Sequence, residues 1–289
     1  MTHLAGSRPE LGRFGLWVRD SVLPGQAVEI EKLGYGAVWV GGSPAAELSF
    51  VEPILAQTTT LRVATGVITT WTAAPEVVAE SFHRIDKSYP GRFLLGIGVG
   101  HPEALTQYRK PIEALNAYLD KLDEYGVPAN RRVIAALGPR VLKLSAKRSA
   151  GAHPYLTTPD HTAQARALMG PQAFLAPEHK ALLSTDAAQT REVGRQTLDM
   201  YLSLQNYVNN WKRLGFTDDD LTRPISDRLV DAMIAHGTSD AIATRLSEHL
   251  DAGADHVPIR ILTSPDKLLA AATALAGPLG LRQSRVEEQ

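Results

Sequence analysis

The chain has 289 residues, enough for two small domains or for one large α/β barrel, which takes about 250. A hydrophobic share of 44% is ample for a core, and 30 basic residues against 31 acidic ones give no reason to expect a nucleic-acid or anionic-membrane partner. With no cysteine, disulfides, a thiolate nucleophile and cysteine-ligated metal or iron–sulfur sites are excluded, and no metal site is expected.

Residues 1–12 have no apolar run of signal-peptide length and read as a flexible lead-in. No stretch approaches the roughly 18 apolar residues of a membrane span, so a cytoplasmic protein is expected. Phe14–Val18 is a first short strand, followed by a helix from Pro24 to Leu33 that Gly34 ends in a C-cap position. Ala37–Val40 is a second strand with Gly41-Gly42-Ser43-Pro44 as its exit. A short helix around Phe50–Thr58 leads to a third strand, Leu61–Thr70, and a helix over Pro75–Ser88 leads to a fourth, Phe93–Ile97. These β-then-α units lack hairpin signals, which predicts parallel strands joined by right-handed crossovers.

The alternation continues. Pro111–Tyr125 is a helix with Ile112, Leu115, Leu119 and Leu122 on one stripe. Arg132–Leu137 is a fifth strand, and Gly138-Pro139 opens a helix through Lys147. Gly151–Leu156 is a weaker sixth strand interrupted by Pro154, Thr162–Met169 is helical, and a seventh strand falls near Lys180–Leu183. Helices are expected over 190–214, 226–236 and 239–252. His256–Leu262 is the eighth strand, and a helix over Lys267–Leu275 closes the chain before a tail at 278–289. Eight strands with intervening helices suit a single (β/α)8 barrel over residues 13–277 better than a doubly wound sheet. No glycine-rich dinucleotide fingerprint opens a helix after any strand.

In such a barrel the chemistry sits at the C-terminal ends of the strands. That selects Trp17 and Arg19, Gly42 and Ser43, the run Gly66–Trp71, His101 and Glu103, Leu137, Gly138 and Arg140, Tyr155, Thr157 and Thr158, and Arg260. Trp17 and Tyr155 suit wall positions better than catalytic ones, Arg19 and Arg260 suit rim ion pairs, and each threonine taken singly equally suits a helix cap or turn. The strand end at Gly96, Gly98 and Gly100, followed by His101, admits a flat group close to the backbone or is simply a βα turn.

The longer stretch Ser81–Glu103 is more specific. Arg84, Asp86, Gly91-Arg92-Phe93 and Leu95 to Gly100 together resemble the fourth-strand segment of the luciferase-like monooxygenase superfamily. Gly237-Thr238-Ser239 and Ala252 to Val257 resemble its closing segment. The resemblance implies a TIM barrel of the bacterial luciferase-like type with a helical insertion before the last strand. It implies an oxidoreductase that uses the deazaflavin coenzyme F420, or alternatively FMN in a monooxygenase, acting on a small organic molecule as a homodimer. A flavin-binding protein without catalysis is the third alternative, which side chains filling the space around Trp17, Trp71 and His101 would favour.

By the same resemblance, Ala64-Thr65-Gly66-Val67-Ile68 matches a segment that carries a non-proline cis peptide behind the cofactor ring. Cofactor contacts are then expected at Gly66, Val67, Ile68 and Thr69, and at the phosphate end from Ala136, Leu137, Gly138, Pro139, Arg140, Thr157 and Thr158. Trp17, Ser43, Trp71, Glu103 and Arg260 are expected to face substrate, with His101 as general acid or base. Several deazaflavin dehydrogenases carry an Asp-His pair after strand two. Gly42-Ser43 stands there in this chain, so a mechanism through that histidine is not expected.

Overall fold

The computed structural model describes residues 8–19, 22, 24–100 and 111–281. The strands are β1 (Phe14–Arg19), β2 (Ala37–Gly41), β3 (Arg62–Thr65), β4 (Ile68–Thr69), β5 (Phe93–Gly98), β6 (Arg132–Ile134), β7 (Gly151–Ala152), β8 (Phe174–Leu175), β9 (His179–Leu182), β10 (Ile234–His236) and β11 (Val257–Ile261). Every pairing between them is parallel. The sheet runs from β11 through β1, β2, β3, β5, β6 and β7 to β8. One segment closes it. Phe174 and Leu175 pair with Gly151 and Ala152, while His179 pairs with Ile259, and only Ala176, Pro177 and Glu178 separate the two pairings.

The helices are α1 (Pro24–Lys32), α2 (Val51–Ala56), α3 (Pro75–Ser88), α4 (Pro111–Glu124), α5 (Pro139–Arg148), α6 (Pro159–Met169), α7 (Ala187–Leu198), α8 (Gln205–Arg213), α9 (Asp227–Met233), α10 (Ser239–Asp251) and α11 (Leu268–Ala276). The outward faces of the early strands pack against them in one large core, with Leu16, Val38, Val63 and Leu95 against Ile30, Leu55, Phe82 and Leu119. The inward faces form a second cluster in which two large rings, Trp17 and Trp39, meet small residues, Ala37, Ala64 and Ala176. Alternating large and small side chains fill a barrel this narrow, so the interior is solid rather than a pore. A third cluster, with Tyr201, Tyr207, Trp211 and Leu229 around Leu156, joins the helical insertion α7–α9 to the end of β7.

The expected barrel with its insertion is present, but several elements differ. The helix expected over 190–214 is α7 and α8 separated by a 3-10 turn at Asp199–Ser203, and β8 is an additional short strand. Residues 234–236 are not the end of a helix. α9 stops at Met233, and Ile234–His236 pairs with Lys180–Leu182 as an added strand outside the ring. Strand pairing by a β-branched residue there overrides helical spacing. β7 ends at Ala152 because Pro154 cannot donate to a ladder and Leu156 turns at φ +55°. The third strand is split into β3 and β4 by the Gly66–Val67 peptide bond, which is cis.

Candidate cofactor and substrate site at the barrel mouth

Trp17 and Trp39 are register neighbours on β1 and β2, so both rings point into the barrel. Trp39 stacks on His153 at 4.4 Å and donates from Nε1 to His256 Nε2 at 3.0 Å. Both histidines are neutral. Burial first of all pushes each down to about 4, against carbonyl contacts from Ala176 to His153 and from Gly12 to His256. Above them the Trp17 indole lies over Gly41 and Gly66 and donates to the Gly66 carbonyl at 3.1 Å. A Cβ on Gly66 would stand 2.6 Å from Trp17 Nε1. Trp17 therefore covers Gly66 and acts as floor.

A buried polar cluster joins that floor. Lys180 and Glu178 are both 0% exposed and pair at 3.0 Å. The Lys180 ammonium lies 3.9 Å from the centre of the Tyr155 ring, and Arg260 donates to the Tyr155 hydroxyl at 2.7 Å while its guanidinium sits over Trp17. Burial pushes the Tyr155 hydroxyl up to about 12, Glu178 adds to the shift, and Arg260 opposes it. Burial pushes Lys180 down, against its attraction to Glu178. Tyr201 donates to Tyr155 at 3.3 Å, so the insertion reaches this cluster. Residue spacing did not single out Glu178, Lys180 and Tyr201. The signal available was two opposite charges two apart in an extended segment, which places them on one face.

On the neighbouring side the mouth stays partly open. Val67 lies over the backbone of β5, where a Cβ on Gly98 would meet its methyl at 2.7 Å and Ala135 at 3.2 Å. Val67, Thr69, Trp71, Val99, Gly100, Ala135, Leu137 and Gly138 are all half-buried. Trp71 and Thr69 both approach Gly100, and the buried Trp71 Nε1 lacks a hydrogen-bond partner among the described residues. Ile68 instead turns into the outer core, and Ala136 packs with Leu142 and Ala165, so neither offers its side chain to this face. Ser43 is exposed beyond β2 at φ +55°, and Arg19 is exposed at the end of β1. His101 and Glu103 lie outside the described residues.

At the far end, Gly138 starts α5 without a side-chain cap, and Pro139 and Arg140 are exposed in its first turn. Thr158 caps α6 by accepting from the His161 amide at 3.3 Å. Thr157 is 0% exposed, and its hydroxyl has no partner among the described residues. The two threonines, indistinguishable by sequence, thus have different duties. The half-buried face around Val67, the uncapped start of α5 at Gly138 and the spare Thr157 hydroxyl before α6 are features that suit a flat ring carrying an anionic tail.

Comparisons with known proteins agree with the fold. Residues 22–125 match the family model described as luciferase-like monooxygenase. The luciferase-like resemblance read from the sequence is thereby shown, and the fold agrees along nearly the whole chain. An F420-dependent secondary alcohol dehydrogenase, solved with an F420–acetone adduct, is similar at TM-score 0.71 and 11% identity, covering 93% of this chain and 99% of that one. The coenzyme F420-dependent tetrahydromethanopterin reductase from Methanopyrus kandleri gives 0.69 and 12%, covering 94% and 100%. The oxygenating constituent of 3,6-diketocamphane monooxygenase from Pseudomonas putida, solved with FMN, gives 0.66 and 14%, covering 94% and 97%. No curated protein matches the chain. Among the described residues no helix is long and apolar enough to cross a membrane.

Proposed function

We propose that the chain is an oxidoreductase that holds coenzyme F420 at the open side of the mouth and exchanges a hydride between its ring and a small organic substrate. The observation that carries this reading is the half-buried face of Val67 over Gly98 and Ala135, together with the orphaned Thr157 hydroxyl just before α6. Val67 and Thr69 would hold the ring, and Gly138 and Thr157 its phosphate. When bound, the deazaflavin supplies the two-electron chemistry. The chain's own part is to position the reactants, exclude water and move a proton. His101, directly after Gly100, is the residue proposed to give or take the proton at the substrate oxygen, with Glu103 two residues further on. Trp71, Ser43 and Arg260 are proposed to bound the substrate.

The reading with FMN and oxygen in place of F420 is favoured by the family description, since the face around Val67 does not discriminate between two tricyclic rings. A non-catalytic flavin-binding role is favoured by Trp17, which fills its side of the mouth, and disfavoured by the half-buried face opposite. We also propose a homodimer formed through helices of the early βα units, to be checked by light scattering.

Paired titration of the purified chain with F420 and with FMN, followed by cofactor fluorescence, separates these readings. Saturable binding of F420 with weak FMN binding is expected. Tight FMN binding alone, with oxygen uptake in the presence of reduced flavin, would transfer the protein to the monooxygenases. His101→Ala is expected to lower turnover while leaving F420 affinity unchanged, and unchanged turnover would remove His101 from the proton step.

A further inference from the structure

Helix α8 of the insertion carries Asn210 and Arg213 one turn apart on one face, and Arg213 reaches the turn where α5 begins. Arg213 Nη2 lies 3.8 Å from the place a Cβ on Gly138 would take, and it donates to Asn210 Oδ1 at 3.1 Å. That contact fixes which way the Asn210 amide faces. Its Nδ2 is left to donate, yet Asn210 is 1% exposed and Nδ2 has no acceptor among the described residues. Thr157, also buried with an orphaned hydroxyl, is held beside α8 because Trp211 Nε1 donates to the Leu156 carbonyl at 3.2 Å.

Buried donors without acceptors destabilise a fold, and two of them in one corner need a reason. Charge points the same way. Among the described residues no carboxylate pairs with Arg213, although most arginines of the insertion are paired: Arg191, Arg195, Arg223 and Arg228 each face an aspartate. The corner also gathers two helix starts, the uncapped start of α5 and the Thr158-capped start of α6, tied together where His161 Nε2 meets the Leu137 carbonyl at 2.8 Å. Amide hydrogens at the start of α5, the Thr157 hydroxyl, the Asn210 carboxamide and a guanidinium with no carboxylate partner among the described residues form a donor-rich set, which suits an anionic phosphate group.

We propose that α8 is the specificity wall of the phosphate end: Asn210 and Arg213, together with Thr157, grip a phosphate against the start of α5 and make the chain select the phosphorylated form of its cofactor. This rests on the cofactor placement above and adds to it residues of the insertion, which the barrel alone does not supply.

The test uses the full chain, its Arg213→Gln variant, altered at an exposed position, and Thr157→Val, which keeps the side-chain shape and removes only the hydroxyl. Each is titrated by fluorescence with F420 and with the phosphate-free deazaflavin riboside, and with FMN and riboflavin. Melting temperatures are recorded with and without inorganic phosphate. The wild type is expected to prefer the phosphorylated member of its pair by at least about tenfold, and each variant to lose most of that preference without changed affinity for the phosphate-free member. Thr157→Val is also expected to melt higher than wild type in the absence of ligand, because it removes an unsatisfied buried group, and to lose the phosphate-dependent rise.

Variants that retain the wild-type preference would overturn the wall and leave the cofactor reading standing. If no ring compound binds, but phosphate raises the melting temperature of wild type and not of the variants, the wall stands and the cofactor reading falls. No phosphate effect and no ring binding would overturn both.

Discussion

Glu178 and Lys180 point into the barrel from alternate positions of one extended segment, where they pair with each other, the ammonium lies over the Tyr155 ring and the carboxylate accepts from the Leu156 amide. Glu178→Gln leaves the ammonium buried over Tyr155 without its counter-charge, and this is expected to cost about 3–5 kcal/mol in urea denaturation. Glu178→Gln combined with Lys180→Met should recover much of that loss, and a double variant as unstable as the single would contradict this account of the pair. The interior histidines define a pH window. His256 is held neutral because Nε2 accepts from Trp39 while Nδ1 donates to Gly12, and a proton on His153 Nε2 would meet no acceptor among the described residues. Their folded values of about 4 lie below the usual 6.5, so the unfolded chain takes up protons first as pH falls. Stability is therefore full above pH 6.5 and declines between 6.5 and 4, by about 1.4 kcal/mol per pH unit for each ring. Denaturation midpoints at pH 7 and pH 5 check this, and equal midpoints would contradict it. Such residues were hard to read from sequence because a lone histidine or lysine looks the same on a rim, on a surface or inside a barrel.

At the scale of elements, β3 and β5 are packed so closely that a Cβ on Gly96 would overlap the Thr65 carbonyl, whose hydroxyl also bonds Gly96 on both sides, to its amide at 2.7 Å and its carbonyl at 2.8 Å. Gly96→Ala is expected to destabilise by several kcal/mol, roughly the range of a severe core lesion. Gly25→Ala, in α1 with open space around it, should stabilise by up to about 1 kcal/mol. Thermal melts of the two variants separate close packing from backbone entropy, and similar melting temperatures would contradict the distinction. The apolar runs and breakers of the first hundred residues marked these strands well: α3 spans Pro75–Ser88 as expected, and Gly34 takes φ +89° after α1. The C-terminal half was less legible. Ile234–His236 is too short for its period to show, and its strand state comes from pairing with β9 rather than from its own pattern. Nor could spacing reveal that the ring closes through one bent segment, with β8 on one neighbour and β9 on the other.

For the whole molecule, the barrel's inward-facing cluster and the insertion core are separate clusters that meet at Tyr155. Trp211 is the pin, fully buried and bonded to the Leu156 carbonyl. Trp211→Ala is expected to cost about 3–5 kcal/mol and to loosen α7–α9 before the barrel, visible as faster amide exchange over 187–233 than over β1–β5. Uniform loosening would mean that the two cores unfold as one. This division also explains why the candidate site was only half legible. The barrel rule pointed to strand ends such as Val67, Gly138 and Thr157, whereas Asn210, Arg213 and Tyr201 arrive from the insertion, whose position over the mouth is a tertiary fact. The most direct measurement of where the site lies is amide exchange of the chain with and without saturating F420. The account predicts added protection at 66–71, 97–100, 134–140 and 155–158, with little change along the helix-facing core. Protection concentrated instead in the separate pocket formed by Glu192, Arg195, Asp199 and Arg223 would contradict it.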